Sequence, residues 1–225
     1  MARVARTVLV DCPLHIVQRG INRSVCFFAD SDYHTYLRLL SIFSSRFNCS
    51  VHAYCLMTNH VHLLITPHET EACSEFMKNL SQQYVQRTNY RLRRSGTLWE
   101  GRFHSSLVTT TTYVLACYRY IELNPVRAGM VQSPRQYGWS SHAANIDGGT
   151  ANFLRPHAAF AALAVGTQDR ARAYQRLCDT GLGAEELEEI RGATRTGRPI
   201  GTPRPKRGRP SKLEEENGVC PHLFD

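Results

Sequence analysis

The apolar positions change their period several times along the chain, and each change predicts an element. After Pro13, "LHIVQRGINR" reads as a strand running into an Arg/Gly/Asn loop. In "DSDYHTYLRLLSIFSSRF", Tyr33, Tyr36, Leu37, Leu40, Phe43 and Phe47 share one face at helical spacing, with Asp30 or Ser31 placed to cap the start. "SVHAYCLM" and "HVHLLIT" are two β-rich runs joined at Thr58-Asn59, which predicts a tight hairpin although the favoured glycine is missing. Pro67 closes the second run. "ETEACSEFMKNLSQQYVQRTNYRLRR" predicts a long helix with Phe76, Met77, Leu80 and Tyr84 inward, stopped by Ser95-Gly96. "TLWEGRFHSSLV" then reads as a strand, and "TTTTYVLACYRYIELNP" as a helix opened by threonines and ended at Pro125, because a residue preceding proline avoids helical geometry.

Strand, helix, strand, strand, helix, strand, helix, with a hairpin in the middle, predicts an α+β fold: an antiparallel sheet with helices on one face, of the ferredoxin-like split β-α-β type. This core is assigned to residues 1–130. Over 131–194 the pattern weakens into short helical pieces, "HAAFAALAV", "DRARAYQRLC" and "GAEELEEIR", expected to form an accessory helical region. Residues 195–225 are rich in Pro, Gly and basic side chains and are expected to be a disordered, DNA-binding tail. A chain of 225 residues suits one sizeable core with an appendage.

Charge changes the picture. The formal net charge is +8, which makes a polyanion such as nucleic acid the leading partner class. Much of it lies in "RTGRPIGTPRPKRGRPSK", where seven Lys or Arg occur with no acid. The eight cysteines show no zinc spacing and no disulfide framework, and are expected to be reduced thiols of a cytoplasmic protein. No signal peptide and no apolar run of membrane-spanning length is present, so no membrane partner is expected.

The candidate chemistry begins with "NHVHLLI". Side chains alternate along a strand, so His60 and His62 point one way while Val61, Leu63 and Ile65 point the other. Two readings stand: polar residues on a solvated face, or two ligands of one metal. In the last helix Val114, Cys117, Tyr118 and Ile121 form the buried stripe, with Tyr113, Tyr120 and Asn124 on its flank. Tyr120 reads as an amphipathic residue with its ring packed and its hydroxyl wet, and Asn124 as a C-terminal cap beside Pro125. Glu122 reads as a solvated helix charge, and His104 as a phosphate contact or a surface residue.

Three blocks, "MTNHVHLLI", "GTLWEGRFHSS" and "YRYIELNPVRAG", in this order and spacing, resemble the signature of the HUH endonucleases. The likeness is to the REP-associated tyrosine transposases, relatives of small single-strand-DNA insertion-sequence transposases, and extends to about residue 140. "IRGATRTGRPIG" and "RGRPSK" also resemble the longer members. Thr58 stands where that group has proline, and the stretch between "GRPIG" and "RGRPSK" is abbreviated.

The resemblance implies that His60 and His62 ligate one divalent ion, Mg²⁺ or Mn²⁺, with Asn124 as the third ligand, and that Tyr120 is the nucleophile. It implies cleavage and strand transfer of single-stranded DNA beside a palindromic repeat hairpin, through a 5′-phosphotyrosine. It also implies action as a monomer, a dimer being the alternative, in the bacterial cytoplasm at the nucleoid. A domesticated binder that recognises repeats without cutting, and a structural metalloprotein, are the competing classes; a binder has no need of Tyr120, His60 and His62, and the latter lacks a fourth ligand. For the backbone charge a single strand requires, the candidates are Arg19, Arg23, Arg87, Arg91, Arg94 and Arg102. Arg204, Lys206, Arg207 and Arg209 lie in an AT-hook-like "PKRGRPSK", read either as a minor-groove contact or as non-specific phosphate attraction.

Overall fold

The computed structural model describes residues 7–147 and 151–202. Strand β1 (Leu14–Arg19) follows Pro13, and a single 3₁₀ turn leads to helix α1 (Asp30–Arg46). The N-cap of α1 is Ala29 rather than Asp30 or Ser31, and the carboxylate of Asp32 reaches back to accept the backbone N–H groups of Phe28 (2.8 Å) and Ala29 (3.1 Å). Strands β2 (Cys49–Met57) and β3 (His60–Pro67) form the expected hairpin, with Met57 paired to His60 across Thr58-Asn59. Helix α2 (Ala72–Leu92) buries Phe76, Met77, Leu80 and Tyr84, but stops before Ser95-Gly96. Arg93 takes the left-handed conformation (φ 49°), and the N–H of Arg94 returns to the carbonyl of Asn89 (3.0 Å), closing the helix by its own backbone.

Strand β4 is shorter than the alternation suggests, His104–Leu107, because residues 97–103 instead wrap the end of β1 through a bridge between Gly20 and Trp99. Helix α3 (Thr111–Glu122) is capped by the hydroxyl of Thr110, which accepts the N–H of Tyr113 (3.3 Å). Pro125 ends α3 and also opens the one-turn helix α4 (Asn124–Arg127), since a missing N–H costs nothing in a first turn. Helices α5 (His142–Asp147), α6 (Ala158–Ala161), α7 (Thr167–Thr180) and α8 (Ala184–Thr196) follow.

Among the described residues the strands form one antiparallel sheet in the order β2-β3-β1-β4. Helices cover both of its faces, not one. Leu14, Ile16, Val61, Leu63 and Ile65 pack with α1 and α2, whereas Ala53, Cys55 and Leu64 pack with α3 and the helices after it. The reason lies in the strands: the alternate positions of β2 and β3 that ought to be wet include Ala53, Cys55 and Leu64, all fully buried. Residues 134–200 therefore complete this second core rather than standing apart, with Phe160, Tyr174 and Ile190 against Tyr118 and Ile121. Ile200 is also buried, bridged to Val108 beside β4, so the first residues of the segment expected to be a tail are ordered.

Glu122 overturns its reading as a solvated charge. It is fully buried, and its carboxylate accepts from Ser141 Oγ, Asn145 Nδ2 (2.6 Å), Tyr174 Oη (2.7 Å) and His142 Nδ1 (3.1 Å). A buried carboxylate is tolerable only when so surrounded by donors. The network fastens α5 and α7 to the end of α3. Cys26, Cys49, Cys55, Cys73, Cys117 and Cys178 are buried thiols outside any disulfide, as expected, whereas Cys12 is disulfide-bonded. No helix among the described residues is long and apolar enough to cross a membrane.

Candidate active site

Residues directly opposite in an antiparallel pair share a face, so the register defines the site. Arg19 faces His60, Val17 faces both His62 and His104, and His15 faces Leu64 and Ser106. His15, Arg19, His60, His62 and His104 thus stand on one face, the one covered by α3, α6 and α8, with Arg19 and His104 exposed at its open end. The rings of His60 and His62 lie 4.9 Å apart, near enough to share a single ion.

Both imidazoles are neutral. Burial pushes His60 down to about 4, with Arg19 adding to the effect, and holds His62 well below the usual range, with His60 as the next contribution. Only a neutral imidazole offers a lone pair to a metal. The orientation of His60 is also set. The Asn59 amide donates to the Arg23 carbonyl (3.1 Å), which turns its oxygen toward His60 Nδ1 (2.6 Å). His60 must then carry its proton on Nδ1, leaving Nε2 bare. No group of three or more His, Cys, Asp or Glu suited to a metal occurs among the described residues. Asn124 opens α4 one turn beyond Tyr120 and is half-buried. Two nitrogens and an amide oxygen are a donor set that Mn²⁺ or Mg²⁺ accepts.

The tyrosines separate as the helix geometry predicts. Tyr118 is fully buried, stacked on Phe160 (5.0 Å), with its hydroxyl accepting the N–H of His157 (3.0 Å). Tyr120 is half-buried, its ring edge-on to both His15 (5.6 Å) and His62 (5.7 Å). Tyr113 lies away from this cluster, near Gly201 and Thr109.

Two residues of the site, His15 and Arg127, were not singled out in the sequence. The Arg127 guanidinium lies 4.5 Å from the centre of the Tyr120 ring and donates to the Tyr120 carbonyl. Burial and the nearby Arg191 lower its pKa, and Tyr120 opposes this. Position i+7 from Tyr120, inside "YRYIELNPVRAG", was the available signal: two turns on, and therefore on the same side of a continuing helical path.

The other arginines divide. Arg19, Arg23, Arg87, Arg94 and Arg102 are exposed. Arg91 is instead committed to Asp32, with one nitrogen within 2.6 and 2.7 Å of both carboxylate oxygens, tying α2 to α1. Arg102 borders an open groove of about 680 Å³ between α2 and the 97–103 segment, lined also by Gln18, Lys78, Trp99 and Phe103. Arg204, Lys206, Arg207 and Arg209 lie outside the described residues.

A sheet in the order β2-β3-β1-β4 that presents two imidazoles to a tyrosine from the following helix defines a candidate nuclease-type site within an α+β core. The chain belongs to the IS200-like transposase family, whose match spans residues 8–124. The structure is similar to that of a REP-associated tyrosine transposase bound to a REP hairpin, at 18% identity and a TM-score of 0.57, covering 69% of this chain and 89% of that one. A crystal structure of a candidate transposase from Deinococcus radiodurans also matches, at 18% identity over 50% of this chain and 91% of that one, with a TM-score of 0.37 too low to carry an argument. No curated protein matches the sequence.

Proposed function

We propose that this transposase-family protein cuts and rejoins single-stranded DNA beside a palindromic repeat hairpin, using Tyr120 as nucleophile. The observation that carries the reading is the placement of the half-buried Tyr120 ring 5.7 Å from His62, on the face that also bears His60. The phenolic oxygen attacks the phosphorus, the bond to the 3′-oxygen breaks, and that oxygen leaves to become a 3′-hydroxyl after protonation. The phenolic proton is lost to solvent. The DNA is left on Tyr120 as a 5′-phosphotyrosine, which retains the energy of the broken bond, so a second 3′-end can reverse or redirect the step.

His60, His62 and Asn124 would hold a divalent cation, which would supply Lewis acidity to the phosphate. A phenol is largely protonated at neutral pH, its ordinary pKa being about 10. Arg127, packed over the Tyr120 ring, holds that ring in place beside the histidines. Arg19, Arg23, Arg87, Arg94 and Arg102 track the DNA backbone, Arg204, Lys206, Arg207 and Arg209 add a minor-groove or phosphate contact, and the protein acts as a monomer. The hairpin belongs to the similar structure, and its transfer to this chain is part of the proposal.

The test mixes the protein with a labelled single-stranded hairpin and Mn²⁺ or Mg²⁺ and seeks an adduct that survives denaturation. Tyr120→Phe is expected to abolish the adduct while leaving the gel shift. A shift without an adduct in the wild type would mark a non-cleaving binder, and a bond mapped to Tyr113 or Tyr118 would refute the assignment.

A further inference from the structure

His62 does not stand alone against the sheet. His15 Nε2 lies 3.0 Å from His62 Nδ1, the two rings are stacked at 5.2 Å, and both are buried. On its other side His15 Nδ1 lies 3.0 Å from the hydroxyl of Thr194, one turn before the end of α8. That hydroxyl donates in turn to the Ile190 carbonyl at 2.7 Å, the usual back-bond of a helical threonine.

The run of bonds has a direction, because a hydroxyl owns one proton. Thr194 gives its proton to Ile190, so the contact with His15 is one in which Thr194 accepts, and His15 carries its proton on Nδ1. His15 Nε2 is then a bare acceptor, and the proton between the histidines belongs to His62 Nδ1. This leaves His62 Nε2 bare, matching the state that Asn59 imposes on His60. A neutral imidazole has one proton to place, and an outer hydrogen bond to one nitrogen decides which of the two can ligate.

We propose that Thr194 and His15 are positioning residues that fix the ligating tautomer of His62 by relay from α8. The proposal rests on the reading of His60 and His62 as metal ligands. It gives the helices beyond residue 131 a part in the chemistry: α8 closes the second core and also sets the protonation pattern of a strand residue. Without the Thr194 hydroxyl, His15 Nδ1–H would face hydrocarbon unpaired. His15 then gains by moving its proton to Nε2, and His62 must shift its own proton to Nε2, the nitrogen an ion needs.

Thr194→Val preserves shape and removes the hydroxyl, while Thr194→Ser keeps it. In the metal-free wild type, long-range ¹H–¹⁵N spectra of the histidine rings are expected to show His15 and His62 protonated on Nδ1. Thr194→Val is expected to move the His62 proton to Nε2 and to weaken Mn²⁺ binding, measured by calorimetry without DNA, about ten- to a hundredfold. Thr194→Ser is expected to restore both. A wild-type His62 protonated on Nε2 overturns the relay whether or not any variant folds, and so does an unchanged Mn²⁺ affinity in Thr194→Val. A wild type with the expected ring protons that binds no Mn²⁺ overturns the metal reading, and with it any role for the relay in ligation.

Discussion

Acidifying the metal-free protein from pH 7 to pH 5 should remove a large part of its stability. His15 and His52 are buried and held neutral, down to about 3 and about 4, and His62 is buried and held well below the usual range. Burial is the first cause for all three; Arg127 adds to it for His15 and His60 for His62, while the bond from His52 to the Arg155 carbonyl opposes it. Their pKa values are depressed on folding, so the unfolded chain binds the extra protons. Their favourable contribution is complete above the unfolded value of about 6.5 and is lost as pH falls toward the folded values. Between pH 7 and pH 5 His15 and His52 each cost about 2 kcal/mol, about 4 kcal/mol together, and His62 adds a loss of the same sign. That is a large share of the roughly 5–15 kcal/mol by which folded domains are stable. His60, half-buried, adds a smaller amount of the same sign. Carboxylates titrate mainly below this window, with ordinary values near about 4, so the effect belongs to the histidines. Urea unfolding followed by circular dichroism in chelator at pH 7, 6 and 5 measures it. A loss below about 2 kcal/mol would show that the three rings are not held neutral, and the reasoning would fail.

Further substitutions test other parts of the structure. Glu122→Ala strands four buried donors and should cost about 3–5 kcal/mol in urea unfolding, with the loss reduced when Tyr174→Phe is added. Arg91→Ala should cost about 1–3 kcal/mol without changing hairpin affinity, whereas Arg87→Ala or Arg94→Ala should weaken hairpin binding and flatten its salt dependence at little cost in stability. At Gly20 an added Cβ would stand 2.2 Å from the Ser24 carbonyl oxygen, beside the Gly20 N–H bond to the Asn59 carbonyl (2.8 Å). Gly20→Ala should therefore displace Asn59 and with it His60, lowering Mn²⁺ affinity in calorimetry more than it lowers the melting temperature.

The core elements were legible because each buries one clear stripe or alternates over several residues. Val114, Cys117, Tyr118 and Ile121 are the buried stripe of α3, and Val61, Leu63 and Ile65 point away from His62, as periodicity alone requires. What escaped depends on partners distant in sequence. Glu122 lies one turn beyond Tyr118 on the buried side, but its charge suggested solvent, and the donors that neutralise it come from residues 141–174. The cover over the second face of the sheet was visible in Ala53, Cys55 and Leu64 only once strand phase was known, since the hairpin is apolar at both parities apart from its histidines. His15 in β1 and Thr194 in α8 are 179 positions apart, and no local spacing announces such a contact. Arg91 looked like its basic neighbours until Asp32 was found against it.

The described residues from Arg198 to Gly201 are moored at several points. Arg198 pairs with Glu189, the Ile200 N–H bonds to the Leu107 carbonyl (2.7 Å), and the Thr109 hydroxyl bonds to the Ile200 carbonyl (2.7 Å). Gly201 sits against Tyr113, on the same helix as Tyr120 and seven residues before it, a rise of about 10 Å. The segment Arg198–Gly201 is thus held at the amino-terminal turn of the helix that carries Tyr120. Three separate ties hold it, so the loss of any one leaves two in place.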